Sequence, residues 1–223
     1  MGRWADIRAL DGHGLSAYLT SSNDSPAPAI VVIQEIFGVT TELTSIAEKF
    51  GENGYRVVVP ALYDRIEQDY VLDYVQADLA RAAKNQLRYD EIELDIAAAI
   101  TLADTGRGVA LLGYCWGGGL AYWMAQKHSV RAVVSYYGTG LTQYCKSSPP
   151  EAPCQFHLGM DDLMIDAEAR RAVQGSCKSS DQYFEYEGAG HAFANVARPS
   201  YRQDQAALAN SRCLTFLDQV FAC

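Results

Sequence analysis

A continuously apolar, β-branched run, "AIVVI" (29–33), is followed along this chain by the mainly apolar runs "YRVVVP" (55–60), "GVALLGY" (108–114) and "VRAVVSYYG" (130–138), and segments of helical spacing lie between them. A strand wetted on one face alternates apolar and polar residues. An unbroken run needs cover on both faces, as parallel strands packed between helices have. The alternation continues through "CQFHLG" (154–159), a helix near 166–175, "QYFEYEG" (182–188) and a last helix from about 201. The pattern predicts an α/β fold: a mostly parallel central sheet of about eight strands with helices on both faces. "WADIRAL" and "LSAYLT" do alternate, and Asp11-Gly12 between them is a turn signal, so the N-terminus reads as a hairpin at the sheet edge. After the loop "SNDSPAP" comes a βαβ unit: strand 29–33, a helix at about 42–52 ending near Gly54, and strand 55–60 stopped by Pro60. From about Gln68 to Ala103 there is no Gly or Pro, which predicts two helices broken near Tyr89-Asp90. A further helix is expected from 116 to about 127. The turn-rich segment 139–153 reads as a surface excursion or part of a site rim. With no repeat or linker in sight, residues 1–223 are expected to form one domain.

Composition narrows the function classes. A net charge of -9, with 18 scattered Lys and Arg, repels phosphate backbones and argues against a nucleic-acid partner. No run approaches the roughly 20 apolar residues of a membrane span, and "MGRWADIRALDGHG" has no signal-peptide core. A cytoplasmic protein without a membrane partner is expected. The six cysteines, at 115, 145, 154, 177, 213 and 223, have none of the short spacings of zinc sites. No metal, cofactor or disulfide is therefore expected. The sequence is compatible with a monomer and does not specify an oligomer.

In open α/β sheets ligands gather at the carboxyl ends of the strands. Four such ends carry reactive side chains: Glu35, Cys115, the pair Asp161 and Asp162, and His191. In "GYCWGGG" (113–119), glycines two positions either side of Cys115 relieve the crowding of a sharp strand-to-helix turn, which pushes the thiol out at a helix N-terminus. There the dipole and unpaired N–H groups favour a thiolate. By itself a cysteine after a strand is as readily a small buried hydrophobe. Glu35 by itself could pair with a basic neighbour, but an acid ending a buried strand is costly without a role. His13 lies in the first turn, His128 ends a helix and His157 sits inside a strand, which leaves His191 best placed. Either aspartate could orient it. The order of nucleophile, acid and histidine is that of the α/β-hydrolase elbow with Cys in place of Ser.

Taken together, "QEIFGV" (34–39), "GYCWGGGLAY" (113–122), "SYYGTGL" (135–141), "HLGMDDLMI" (157–165) and "GAGHAFAN" (188–195) resemble the dienelactone hydrolase (carboxymethylenebutenolidase) family of α/β hydrolases over nearly the whole chain. The resemblance implies a triad of Cys115, His191 and Asp162, with Glu35 restraining the resting thiol until substrate binds. It implies backbone N–H groups of Ile36 and Trp116 as the oxyanion hole, and Tyr137 at a pocket position. The implied activity is cleavage of a small lactone or ester through an acyl-enzyme.

The substrate pocket matches less well. The family binds a substrate carboxylate with an arginine four residues after the histidine, where this chain has Asn195, and Arg198 stands three residues further on. The family's other arginine precedes a tyrosine by four residues, a spacing absent between 65 and 95, where Arg81 is the nearest candidate. Ala192 follows the histidine where the family can offer a hydroxyl. Losing a guanidinium fork removes bidentate carboxylate recognition. A carboxylesterase or thioesterase with another acyl pocket is thus the alternative reading, and a non-catalytic binding or thiol redox-sensing member a remoter one.

Overall fold

The computed structural model describes residues 2–20 and 26–222. Residues 22–25 of the expected loop, and Cys223, lie outside them. The chain divides into two compact units, Met1–Val109 and Ala110–Cys223.

In the first unit β1 (Arg3–Arg8) and β2 (Gly14–Thr20) form the expected antiparallel hairpin, with Asp6 opposite Ser16. Gly12 takes φ 90° in its turn, a conformation open to glycine at little cost. β3 (Ala29–Ile33) is wholly buried, and α1 (Thr41–Glu52) carries the chain to β4 (Arg56–Pro60). β3 and β4 are parallel, Ile30 facing Val57, and the strand order is β1-β2-β4-β3. α1 starts where the Thr40 hydroxyl accepts the Leu43 N–H, and it buries Leu43, Ala47 and Phe50, spaced three and four apart on one face. A 3-10 turn at Leu62–Arg65 precedes α2 (Ala77–Lys84) and α3 (Tyr89–Ala103). Arg65 grips Asp95 of α3 from this turn with Nε at 2.9 Å and Nη2 at 2.7 Å.

The helix expected from Gln68 begins only at Ala77, and the break between the two helices lies at residues 85–88. Residues 66–76 are irregular because aromatic anchoring outweighs a weak helical preference in this Tyr- and Val-containing stretch. Tyr70 packs on Tyr63 with ring centroids 5.9 Å apart, and Tyr74 meets Phe37 edge-on at 4.8 Å. Between them the Leu72 N–H donates to the Phe37 carbonyl at 2.9 Å.

The second unit alternates β5 (Val109–Tyr114), α4 (Trp116–Ala125), β6 (Ala132–Tyr136), α5 (Leu141–Tyr144), β7 (Cys154–Gly159), α6 (Ala167–Ser176), β8 (Gln182–Tyr186) and α7 (Gln203–Ala222). Its strands run in the order β5-β6-β7-β8 and all neighbours are parallel. Gly113 faces Ser135, Tyr136 faces His157 and Gly159 faces Tyr186. That register brings the carboxyl ends of all four strands to one end of the unit. The segment 139–153 is mostly loop, with α5 as its one helical turn. Among the described residues no helix is long and apolar enough to cross a membrane.

Candidate active site

Cys115 stands between β5 and α4 at φ 53° and ψ -118°, a backbone conformation that side-chain-bearing residues rarely adopt. Four backbone hydrogen bonds hold it there, one of them from the Gly119 N–H to the Cys115 carbonyl at 3.4 Å. Its N–H donates to the Tyr136 carbonyl at 3.0 Å, and its carbonyl accepts from Thr139 at 2.9 Å and Gly118 at 3.0 Å. The end of β6 therefore braces the turn. The surrounding glycines are required by contact: a Cβ on Gly113 would overlap the Gly117 carbonyl, and one on Gly119 would overlap the Thr139 carbonyl. Cys115 thus precedes the first turn of α4, at the positive end of the helix dipole, where an anion is favoured.

The two aspartates separate by burial: Asp162 is buried and Asp161 exposed. Asp162 Oδ2 accepts from His191 Nδ1 at 2.8 Å, and its Oδ1 accepts the Met164 N–H at 2.8 Å. Both oxygens are engaged, so the carboxylate cannot swing away from the ring. With Nδ1–H directed at Asp162, His191 Nε2 is the nitrogen left for chemistry, and it is the one that faces the Cys115 sulfur. Burial pulls the His191 pKa down, but the hydrogen bond to Asp162 and then the neighbouring Cys115 sulfur favour the imidazolium and raise it from 6.5 to about 10.

The loop carrying His191 is held by residues that no sequence pattern distinguished. The Ser200 hydroxyl donates to the His191 carbonyl. Arg202 donates through its N–H to the Phe193 carbonyl at 2.9 Å and through Nε to the Gly188 carbonyl at 2.8 Å. Ala192 takes φ 64° inside this clamp. His157 differs in every respect: its ring nitrogens contact Tyr186 Oη at 2.7 Å and Gln155 Oε1 at 2.8 Å. Burial, and then Arg212, lower its pKa to about 3, so it stays neutral in the core.

The remaining expected site residues occupy varied places. Tyr137 is fully buried, and its ring meets that of His191 edge-on at 5.3 Å. Trp116 is buried as the first residue of α4. On the first unit Glu35 is buried just past β3, and Tyr63 Oη donates to the Ile36 carbonyl at 2.7 Å. Arg81 is exposed on α2 and paired with Asp78 one turn away. Asn195 is buried, its Oδ1 accepting the Ala197 N–H at 3.0 Å, so its side chain shapes the turn after the histidine loop. Arg198 is half-buried at the end of that turn, where its N–H donates to the Asn195 carbonyl at 3.1 Å. Burial pushes the Cys177 and Cys213 thiols up to about 11 and about 12, which disfavours their thiolates. Among the described residues no three His, Cys, Asp or Glu side chains form a cluster able to hold a metal ion.

The model of the dienelactone hydrolase family matches residues 15–221. Carboxymethylenebutenolidase of Pseudomonas putida is 36% identical over 222 residues, which covers 95% of this chain and 94% of that protein. The carboxymethylenebutenolidase of Pseudomonas sp. strain P51 is 30% identical, covering 96% and 94%. Among solved structures, the dienelactone hydrolase-like promiscuous phosphotriesterase P91 from metagenomic libraries superposes with a TM-score of 0.77 at 18% identity, covering 98% of each chain. Est1E from Butyrivibrio proteoclasticus superposes with a TM-score of 0.71 at 13% identity over the whole of both chains. At such identities these likenesses speak to the fold, which is that of the α/β hydrolases.

Proposed function

We propose, from the premise that this chain belongs to the dienelactone hydrolase family, that it cleaves a small lactone or ester through Cys115, His191 and Asp162. The observation that carries the reading is the His191–Asp162 pair, which leaves Nε2 for the neighbouring elbow cysteine. On substrate binding the Cys115 thiol gives its proton to His191 Nε2; the resulting thiolate attacks the carbonyl carbon, and the carbonyl π electrons move to oxygen. The resulting oxyanion is taken by backbone N–H groups, that of Trp116 at the start of α4 and, by family resemblance, that of Ile36. The intermediate collapses to a thioester as the C–O bond breaks, and the imidazolium gives its proton to the departing alkoxide. The sulfur is then neutral, so one of the two influences that raise the His191 pKa is gone. The ring can now take a proton from water. Hydroxide adds to the thioester, the acid leaves, and the thiolate–imidazolium pair returns. Glu35 keeps the resting-state role that the family resemblance gives it.

The reading takes residues 1–223 as one α/β-hydrolase domain, consistent with a family match over 15–221. It also takes the protein as a cytoplasmic enzyme for small molecules, not nucleic acids, in keeping with its net charge of -9. A panel of dienelactones and activated esters on wild type and Cys115→Ala tests the activity. Turnover that depends on Cys115, with a thioester adduct seen by intact mass, supports it. No substrate cleaved faster by wild type than by Cys115→Ala refutes it and favours the binding or redox-sensing reading.

A further inference from the structure

Among the described residues of the second unit five large apolar side chains are substantially exposed, and four of them lie within five residues of Asp162 or His191 along the chain: Met160 (43%), Leu163 (98%), Met164 (58%) and Val196 (61%). The fifth, Leu208, is on α7. The first three share the turn after β7 that supplies Asp162. The Met160 N–H donates to the Tyr186 carbonyl at 2.9 Å and the Asp161 N–H to the Ala189 carbonyl at 2.9 Å, which lays this turn along the loop leading to His191. The Met164 N–H bonds the Asp162 carboxylate, so the same turn that sends Asp162 inward leaves Leu163 and Met164 in solvent. Val196 stands on the turn shaped by Asn195. Exposed apolar side chains gathered at one place mark a surface that meets an apolar partner. Two of the four are methionines, whose flexible thioethers adapt to varied shapes.

On the ester-hydrolase reading above, we infer that this rim is a specificity element: it binds the apolar acyl chain of a neutral ester substrate, in place of the carboxylate that an arginine at position 195 would hold. Continuity with the His191 loop and the apolar makeup of the rim select the substrate as its occupant. Asn195 supports this, since its amide oxygen is committed to the turn and it carries no cation.

The test is kcat/KM for 4-nitrophenyl acetate, butyrate, hexanoate and hemisuccinate on wild type, Met164→Ser, Leu163→Ser/Val196→Ser and, as a control away from the rim, Leu208→Ser. A methylene fully withdrawn from water favours binding about fourfold, so partial cover at an open rim gives about twofold for each of four methylenes and about fifteenfold from acetate to hexanoate. The expected result is that rise in wild type and Leu208→Ser, a hexanoate-to-acetate ratio below about threefold in the rim variants, and hemisuccinate cleaved no better than butyrate. A flat chain-length series, a rise that survives the rim substitutions, or a preference for hemisuccinate overturns the inference and leaves the hydrolase reading standing. If no ester shows Cys115-dependent turnover, the hydrolase reading itself fails and takes the inference with it.

Discussion

Asp162→Asn is the substitution that most directly probes the candidate site. Asn has the same size and still offers an oxygen to the Met164 N–H, but it carries no charge. In the wild type His191 rises from 6.5 to about 10 although burial pulls it the other way, with the Asp162 bond first among the groups that raise it. At about 1.4 kcal/mol per pH unit, that rise corresponds to roughly 5 kcal/mol in favour of the imidazolium. Asp162 heads the groups that raise it, so removing the aspartate charge lowers the titration point. The sign for catalysis follows. Above its pKa the ring has no proton to give the departing alkoxide, so kcat/KM falls as pH passes that value, near 10 in wild type and at lower pH in Asp162→Asn. The maximum also drops by about a hundredfold or more, because a neutral Asn no longer fixes the tautomer. NMR of the His191 ring C–H signals across pH 5 to about 11 reads the titration point, and the pH profile reads its consequence. A His191 that titrates near 6.5 in wild type, or that Asp162→Asn leaves unmoved, would refute the reasoning.

Two further substitutions test the structure beneath the site. Gly113→Ala forces a methyl into the Gly117 carbonyl; with backbone on both sides of the clash, it is expected to destabilise the fold by about 2 kcal/mol or more, seen in urea unfolding, and to abolish rapid alkylation of Cys115. Asp95→Ala removes the buried bidentate partner of the half-buried Arg65 guanidinium, which keeps its 2.7 Å bond to Asp11. A loss of about 2 kcal/mol in urea unfolding is expected, with the change carried by the midpoint and not by the slope.

The strands and the elbow were legible in the sequence because each rests on a local cause. β3 and β5 are apolar runs buried along their length, β6 and β7 are buried strands of mainly apolar residues, and the glycine spacing around Cys115 answers a clash between near neighbours, Gly113 and Gly117. His191 stood out by elimination among four histidines. The irregular path of residues 66–76 was not legible, because its cause is the packing of Tyr70 and Tyr74 on Tyr63 and Phe37, partners set by the fold and not by local propensity. Nor could the residues alone choose between Asp161 and Asp162. Both follow β7, and only the bonds of that turn to the carbonyls of Tyr186 and Ala189 leave one exposed and turn the other to His191. The sequence by itself determined which side chains arrive at the ends of the strands, since alternation and turn chemistry act over a few residues. The tertiary structure alone decided which of them meet, which face water, and that Asn195 serves its own turn, because burial and hydrogen-bond partners arise from segments distant along the chain.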